Sequence, residues 1–533
     1  MESRHRINRV TVCVTMLISF VLLFGSTVLA RDGADKFLIL HVDGFFSEDF
    51  FTELEEGRLP NIASLFQRGQ KVRHGLTLYP GGTEIIMTRL KDGLNNSQGK
   101  FVGWGHLDRE TGKKVSNMPI SLELIAGFNR RNRHQFLLGL PGLNHLAGLS
   151  LLNLGRIWET QDVAEFYWFH SDLMGHLRGR QQHLDSLRTF DRYLGLAAKR
   201  GKLEGVNLVL YSDHGMTTQG VYTVRYDDVI GEAVQDELCY LAYPNIYLNN
   251  PDRKEELARK IAEETVIDLA IVRVSDSLVR GYAAGGSFEI THRDGKYAYD
   301  YAGEDYFGYG ELGCLGTFMS KEEWLRLTKD HTYPAAPPNL LNYLSHPRVG
   351  DIVALLNPPK ILYGPGIQNG NHAGLKDSDL VVPLLLAGPA FADLEPMDEL
   401  WLHELYSVHL PMIDFEARSR ERHRVTLGYP DHFELVLSPA HRWRSGLAMN
   451  GEGVEPWLEH DLYSSFLTRV WLGARLRDQL LNWQLRVEGF LGDLGVSWLV
   501  RPSSENLLHF HWRLTDWAEL AVSKEKLGVS LLF

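Results

Sequence analysis

Three apolar runs that each close on an aspartate constrain this chain more than any other feature. "FLILHVD" ends on Asp43, "EFYWFHSD" on Asp172 and "VNLVLYSD" on Asp213. Short runs rich in branched and aromatic residues read as buried strands. Between the last two, "HLDSLRTFDRYLGLAAKRG" sets Leu184, Leu187, Tyr193, Leu194 and Ala197 on about one helix face and stops at Gly201. Strands alternating with helices predict an α/β fold with a mostly parallel sheet flanked by helices. Ligands of such sheets bind beyond the carboxyl ends of the strands. One aspartate there is ordinary turn chemistry; three, each close to a histidine or hydroxyl, point to a site.

The pattern changes twice along the chain. From about 241 to 345, short alternating strands and Gly-rich turns ("GYAAGGSFEITHRDGKYAYDYAGEDYFGYG") predict a β-rich cap inserted into the catalytic domain. The catalytic α/β domain therefore occupies 31–240 and 346–420, returning at "GDIVALLN" and "LVVPLLLAGPAF". A third region, 421–533, holds seven of the twelve tryptophans and alternates strictly. Trp483, Leu485 and Val487 interleave with Gln484, Arg486 and Glu488; Leu508, Phe510, Trp512 and Leu514 interleave with His509, His511 and Arg513. This is half-buried strand, read here as an accessory β-sandwich packed on the catalytic domain. The alternative is a small outer-membrane barrel ending on Phe533, through which the protein would associate with a membrane.

At 533 residues the chain exceeds one ordinary domain. Its apolar content of 44% and charged content of 23% are those of a globular protein. A net charge of −12 argues against nucleic-acid binding, which requires a basic footprint. "MESRHRINR", the apolar "VTVCVTMLISFVLLFG" and the small residues of "STVLA" predict a signal peptide over 1–30, cleaved after Ala30, with an uncleaved anchor as the alternative. The body is expected to be exported, to the periplasm or beyond. Removal of the signal leaves Cys239 and Cys314, whose pairing sequence does not decide and which are too few for a zinc–thiolate site. A metal must then use histidine and carboxylate.

Such donors are present. Asp172 and His176 stand four apart in "SDLMGH", Asp213 and His214 are adjacent in "SDHGM", and His372 lies in the Gly-flanked "GNHAGL". Carboxylate oxygen and imidazole nitrogen suit zinc, and three ligands with an open position define a catalytic site. Two threonines, Thr83 and Thr88 of "LYPGGTEIIMTRLKDG", begin a helix-like run. Gly81 and Gly82 permit a tight turn that presents Thr83 at the helix start, where free amides favour a phosphoryl anion. Thr88 lies a turn deeper.

The ordered set (Asp after the first strand, Pro-x-x-Thr, Asp-x-x-x-His, Asp-His-Gly and a late His) resembles the alkaline phosphatase superfamily. Within it, the set is similar to the type I phosphodiesterase/nucleotide pyrophosphatase branch, over about 37–391. The resemblance implies an alkaline-phosphatase-like fold and two divalent ions, zinc by implication. Asp172, His176 and His372 would hold one, and Asp43, Asp213, His214 and the Thr83 hydroxyl the other. It also implies that Thr83, three residues after Pro80 and ten before Gly93, is the nucleophile of a phosphothreonine intermediate. The expected activity is metal-dependent phosphoric ester hydrolysis on a small phosphate ester or lipid head group. The alternatives are a phosphomonoesterase or phosphoethanolamine-type transferase, and a catalytically weak membrane-associated binding protein.

The chain departs from the family after the nucleophile, where an aromatic and Pro-Asn-His are replaced by Glu84, Ile85, Ile86 and Met87. The family's later asparagine has no clean counterpart, Trp104 falling near its spacing, and Lys100 is a candidate source of positive charge. Glu84, Trp104 and Lys100 are therefore the candidate substrate contacts. Oligomeric state is not legible.

Overall fold

The computed structural model describes residues 35–415, apart from 91, 96, 100, 117–139, 141, 159–160 and 365–368, and most of 424–532. The expected signal segment 1–30 and the candidate contact Lys100 lie outside the described residues. The chain divides into two compact units. One comprises 37–151 and 163–415; the other comprises 152–162 and 416–533, together with 1–36.

The first unit is built on a six-stranded sheet of β1 (Lys36–Val42), β2 (Gln70–Leu76), β3 (Val163–Trp168), β4 (Val206–Tyr211), β5 (Val381–Ala387) and β6 (Glu399–Trp401). Their order across the sheet is β6-β2-β5-β4-β1-β3. β1 and β3 pair in parallel, as do β6 and β2, whereas β5 runs antiparallel to both its neighbours. β4 and β5 are buried along their whole length, which is why their sequences read as unbroken apolar runs. The predicted helix spans Arg180–Lys199, buries Leu184, Leu187, Leu194 and Ala197, and ends before Gly201. Cys239 and Cys314 are unpaired, the first exposed and the second buried.

Two sequence expectations shift. "EFYWFHSD" is not strand to its end: β3 stops at Trp168 and Asp172 lies in the first turn of a helix, His170–Arg178. The inserted β region is a seven-stranded antiparallel sheet that reaches past both expected edges. It takes in Leu238–Ala242 and Ile352–Leu355, and the second, from "GDIVALLN", pairs with Leu269–Ser275 and Asn245–Leu248 rather than joining β1–β6. A short apolar run does not encode which sheet it enters. One hydrophobic cluster joins Ile39, Val72, Val209 and Leu384 to Ile271, Phe288 and Val353 of that second sheet.

The second unit corrects the β-sandwich reading. Ten antiparallel strands, from Arg424–Tyr429 to Leu527–Leu532, follow one another in sequence order and close, the last pairing with the first. A closed barrel has no edge strands to protect. Its buried residues include Arg444, Glu459, Gln484 and Glu488, while Trp483, Trp498, Phe510 and Trp512 are exposed. Asn153 and Arg156, from the short helical segment before β3, dock at its hairpin turns. Asn153 Nδ2 donates to Phe466 O (2.6 Å) and Phe490 O (2.9 Å), and Arg156 pairs with Glu519 at 3.3 Å. Among the described residues no helix is long and apolar enough to cross a membrane.

Candidate functional site

β1, β3 and β4 bring their aspartates together at one end of the central sheet. Asp43 follows β1 directly, Asp213 follows β4 by two residues, and Asp172 enters from the helix after β3. Asp43 and Asp213 are fully buried and Asp172 nearly so. Backbone links hold the junction: the Asp43 N–H donates to Trp168 O (3.3 Å), the Ser171 hydroxyl to Asp43 O (2.6 Å) and the Phe45 N–H to Ser212 Oγ (2.8 Å). Two glycines are dictated by close approach. Gly44 has φ +73°, and a Cβ there would stand 3.0 Å from Asp172 Oδ1. A Cβ at Gly175, between Asp172 and His176, would stand 2.0 Å from Met216 Sδ. That glycine makes room for Met216 within a regular helix, rather than freeing the backbone between two ligands.

The helix also explains the spacing of Asp172 and His176, because residues four apart share a helix face. His176 Nε2 lies 3.4 Å from Asp172 Oδ1, and His372 Nε2 lies 3.7 Å from the same oxygen. His214 Nε2 is 3.4 Å from Asp43 Oδ1 and 3.5 Å from Asp213 Oδ2, and its ring stacks on His372 at 3.8 Å. Thr83 is the first residue of the helix Thr83–Leu90. Its hydroxyl oxygen stands 3.2 Å from His214 Nε2 and 3.5 Å from Asp43 Oδ1. Thr88 instead donates back to Glu84 O at 2.8 Å. Asp43, Thr83, Asp172, His176, Asp213, His214 and His372 therefore meet at one place.

Three of the histidines are oriented alike. His176 Nδ1 donates to Gly370 O (2.8 Å), His214 Nδ1 to Gly215 O (2.9 Å) and His372 Nδ1 to Gly81 O (2.6 Å). A carbonyl can only accept, so each ring carries a proton on Nδ1 and turns Nε2 toward the carboxylates. Asp172 Oδ1 and both Asp213 oxygens take no well-aligned hydrogen bond. Burial, with the charges of Asp213 and Asp172, pushes Asp43 well above the usual carboxylate range. Burial also opposes charge on Asp172, but His176 beside it holds that carboxyl well below the range. Burial and the neighbouring His214 push His372 down to about 3. Carboxylates crowded in a dry site, with three imidazole Nε2 atoms aimed at them, fit a divalent cation.

The donors fall into two close groups, Asp172 with His214 and His372, and His41 with Asp43 and Asp213; in each, the donor atoms lie within 4.8 Å of one another. His214 thus neighbours both groups, whereas the sequence reading placed it with Asp43 and Asp213 alone. His41 is the residue that reading missed. It is fully buried on β1, stacked between Tyr167 and Tyr211, with Nε2 3.0 Å from Asp213 Oδ1. Its signal was a lone histidine in an apolar strand, two positions before Asp43 and so on the same strand face. Tyr167, which donates to Asp43 Oδ2, carried no signal. Asp379 supports the His372 loop, accepting from Gly374 N at 2.8 Å and Thr217 Oγ1 at 2.9 Å.

Beside Thr83, a small pocket is lined by Glu84, Trp104, Tyr243 and His372. The structure brings Glu84 and Trp104 to one concavity, Glu84 largely buried and Trp104 half exposed.

Comparison with known proteins gives a family. The family model for type I phosphodiesterase / nucleotide pyrophosphatase matches residues 82–365, just over half the chain. Among solved structures, murine ectonucleotide pyrophosphatase / phosphodiesterase 5 is 17% identical with a TM-score of 0.46, over 71% of this chain and 95% of that one. The human counterpart is 15% identical with a TM-score of 0.45, over 71% and 96%. Phosphonoacetate hydrolase from Sinorhizobium meliloti 1021, in complex with phosphonoacetate, is 14% identical with a TM-score of 0.38, over 71% and 95%. No curated protein sequence matches the chain.

Proposed function

The chain belongs to the type I phosphodiesterase / nucleotide pyrophosphatase family, and from that premise we propose that it is an exported two-zinc phosphodiesterase acting through a phosphothreonine intermediate. The observation that carries the reading is the convergence of three buried aspartates and three Nε2-facing histidines on the hydroxyl of Thr83. Asp172, His176 and His372 would hold one ion, and Asp43, Asp213, His214 and the Thr83 hydroxyl the other. When bound, the ions supply Lewis acidity that lowers the pKa of the Thr83 hydroxyl and offsets charge gathering on the phosphoryl oxygens.

The chain's own residues do the rest. Asp43 and His214 fix the Thr83 oxygen against the phosphorus. Attack forms the Thr83 Oγ–P bond as the bond from phosphorus to the leaving oxygen breaks. The phosphoryl group then sits at the start of the Thr83–Leu90 helix, whose first amides favour an anion. Water cleaves the phosphothreonine and restores the hydroxyl. Glu84 and Trp104 line the pocket that holds His372 and adjoins Thr83, which on this reading receives the leaving group. A carboxylate beside an aromatic face suits a cationic substituent better than a second anion. The substrate is a small phosphate ester or lipid head group.

Hydrolysis of bis-nitrophenyl phosphate, with zinc analysis of the same preparation, tests the reading. Thr83→Ala is expected to lower turnover by at least about 10³-fold, while Thr88→Ala keeps most of it. Near-zero zinc in protein purified without chelator, or full activity in Thr83→Ala, sinks the proposal. A preference for the nitrophenyl monoester selects the phosphatase alternative instead.

A further inference from the structure

The barrel is inside out for a protein that folds in water. Along the strand Leu480–Leu491, Gln484, Arg486 and Glu488 are buried while Trp483, next to Gln484, is 53% exposed. The same inversion recurs around the wall. Glu459 is fully buried beside an exposed Leu458, and Ser497 is buried beside an exposed Trp498. Phe510 and Trp512 of the strand Leu507–Thr515 are 59% and 57% exposed. In a water-soluble barrel the burial runs the other way, because buried charge costs free energy and buried aromatic surface gains it.

The interior charge is paired in detail. Arg444 Nε donates to Glu459 Oε2 at 2.6 Å and its Nη atoms reach Glu488 Oε1 at 3.3 Å. Gln484 and Arg486 donate to the other Glu459 oxygen at 2.6 and 3.3 Å. Arg475 pairs with Glu455, and His511 bridges Ser497 and Glu519 at 2.7 and 2.8 Å. Charge on the described barrel strands thus turns inward and is neutralised there, leaving an outer face of Leu, Val, Trp and Phe. That face is complementary to an uncharged apolar medium.

Geometry favours the same medium. Spanning a bilayer requires every backbone group to be satisfied internally, which a closed barrel achieves. Membrane barrels have an even number of antiparallel strands, and this one has ten. Five of the ten run nine to twelve residues, against the roughly 9–11 needed to cross at a tilt. The wall is lowest where the six-residue strands Ala518–Ser523, Leu527–Leu532 and Arg424–Tyr429 lie side by side.

We infer that the ten-stranded barrel formed by residues 424–532 spans a lipid bilayer, its outer aromatic and aliphatic face in contact with acyl chains. The inference stands apart from the hydrolase reading, because it uses no residue of the catalytic unit. It also restores the alternative that the sequence had ranked second.

The test uses the full chain reconstituted in phosphatidylcholine vesicles brominated on the acyl chains, read by tryptophan fluorescence. Bromine quenches only indoles in contact with hydrocarbon. Quenching is expected, and is expected to fall in the combined W483F/W498F/W512F variant but to be unchanged in W457F/W471F, whose indoles are buried. Diester hydrolysis by each variant reports separately on the catalytic unit. Leu472→Arg, which places a charge on the outer face, is expected to lower vesicle-bound protein by roughly 30-fold or more. Protein that stays in detergent-free buffer, as monomer or oligomer, and is not quenched overturns the inference. So does quenching that is no weaker in W483F/W498F/W512F than in the parent.

Discussion

The two units bury charge in opposite ways. At the ends of β1, β3 and β4, Asp43, Asp172 and Asp213 share one sign, and several of their oxygens lack a hydrogen-bond donor. Inside the barrel, Glu459 meets both Arg444 and Arg486, and Glu488 meets Arg444. The first arrangement leaves negative charge for a cation to balance, as the proposed metal site requires. The second is already complete, so it is architecture. Buried charge alone therefore says little about function; the unbalanced remainder carries the information.

The largest effect that would break this contrast lies in the catalytic unit. Asp213→Asn removes a carboxylate facing both His41 and His214 and is expected to lower diester turnover by at least about 10³-fold, with loss of bound zinc by metal analysis. Normal zinc content and turnover would mean that the unbalanced charge is not a metal site.

Glu459→Leu probes the balanced side. It leaves Arg444 and Arg486 buried with one partner fewer and is expected to cost about 3–5 kcal/mol in denaturant unfolding of the barrel. The catalytic unit of the same chain should keep its diester activity. A neutral result would show that the interior charges are solvated and the barrel less closed than its pairing indicates.

A third kind of buried group has no ligand role and only a distant counter-charge, Glu404 at 4.0 Å from His403 Nε2. Burial, with Lys321 and Arg89 nearby, pushes His403 down to about 3. Its folded pKa lies below its unfolded value near 6.5, so the folded state binds fewer protons. The stability it contributes is present above pH 6.5 and is lost as pH falls toward 3. Between pH 7 and pH 5 the loss is about 2 kcal/mol, readable by urea unfolding with His403→Gln as the reference lacking that slope.

How much was legible in the sequence follows the same division. Asp43, Asp172, His176, Asp213, His214 and His372 could be read because the strand ends, spacing and residue types all agreed. His41 could not, because one histidine in an apolar strand reads as core, and only the fold shows that Asp213 faces it. The C-terminal strands were legible as strands, and their partition into two faces was read correctly at Trp483 and Gln484. Period-two alternation separates two faces without saying which is inside. A sandwich in water and a barrel in lipid share the pattern and differ only in the solvent. Only the closed sheet shows which is which: Glu459 and Glu488 lie on the inner face with Trp457 and Trp471, and Trp483, Trp498 and Trp512 on the outer one.

The smallest expected effect is the sharpest, because its sign reverses. Burial, with the charges of Asp213 and Asp172, raises the Asp43 pKa, so ionised Asp43 destabilises the metal-free fold. For a carboxyl whose folded pKa exceeds its unfolded one, stability is fully present below the unfolded pKa and is lost as pH rises through the folded pKa. Asp43→Asn removes the charge while keeping an oxygen that can accept from Tyr167. With chelator present, the variant is expected to be more stable than the parent by about 1 kcal/mol or more. With zinc in excess the order should invert, because the parent gains binding free energy that the variant lacks. Glu459→Leu, in contrast, should destabilise with or without zinc. If Asp43→Asn lowers stability in both conditions, the aspartate is held by partners of its own, and the distinction between the two units fails at its most exposed point.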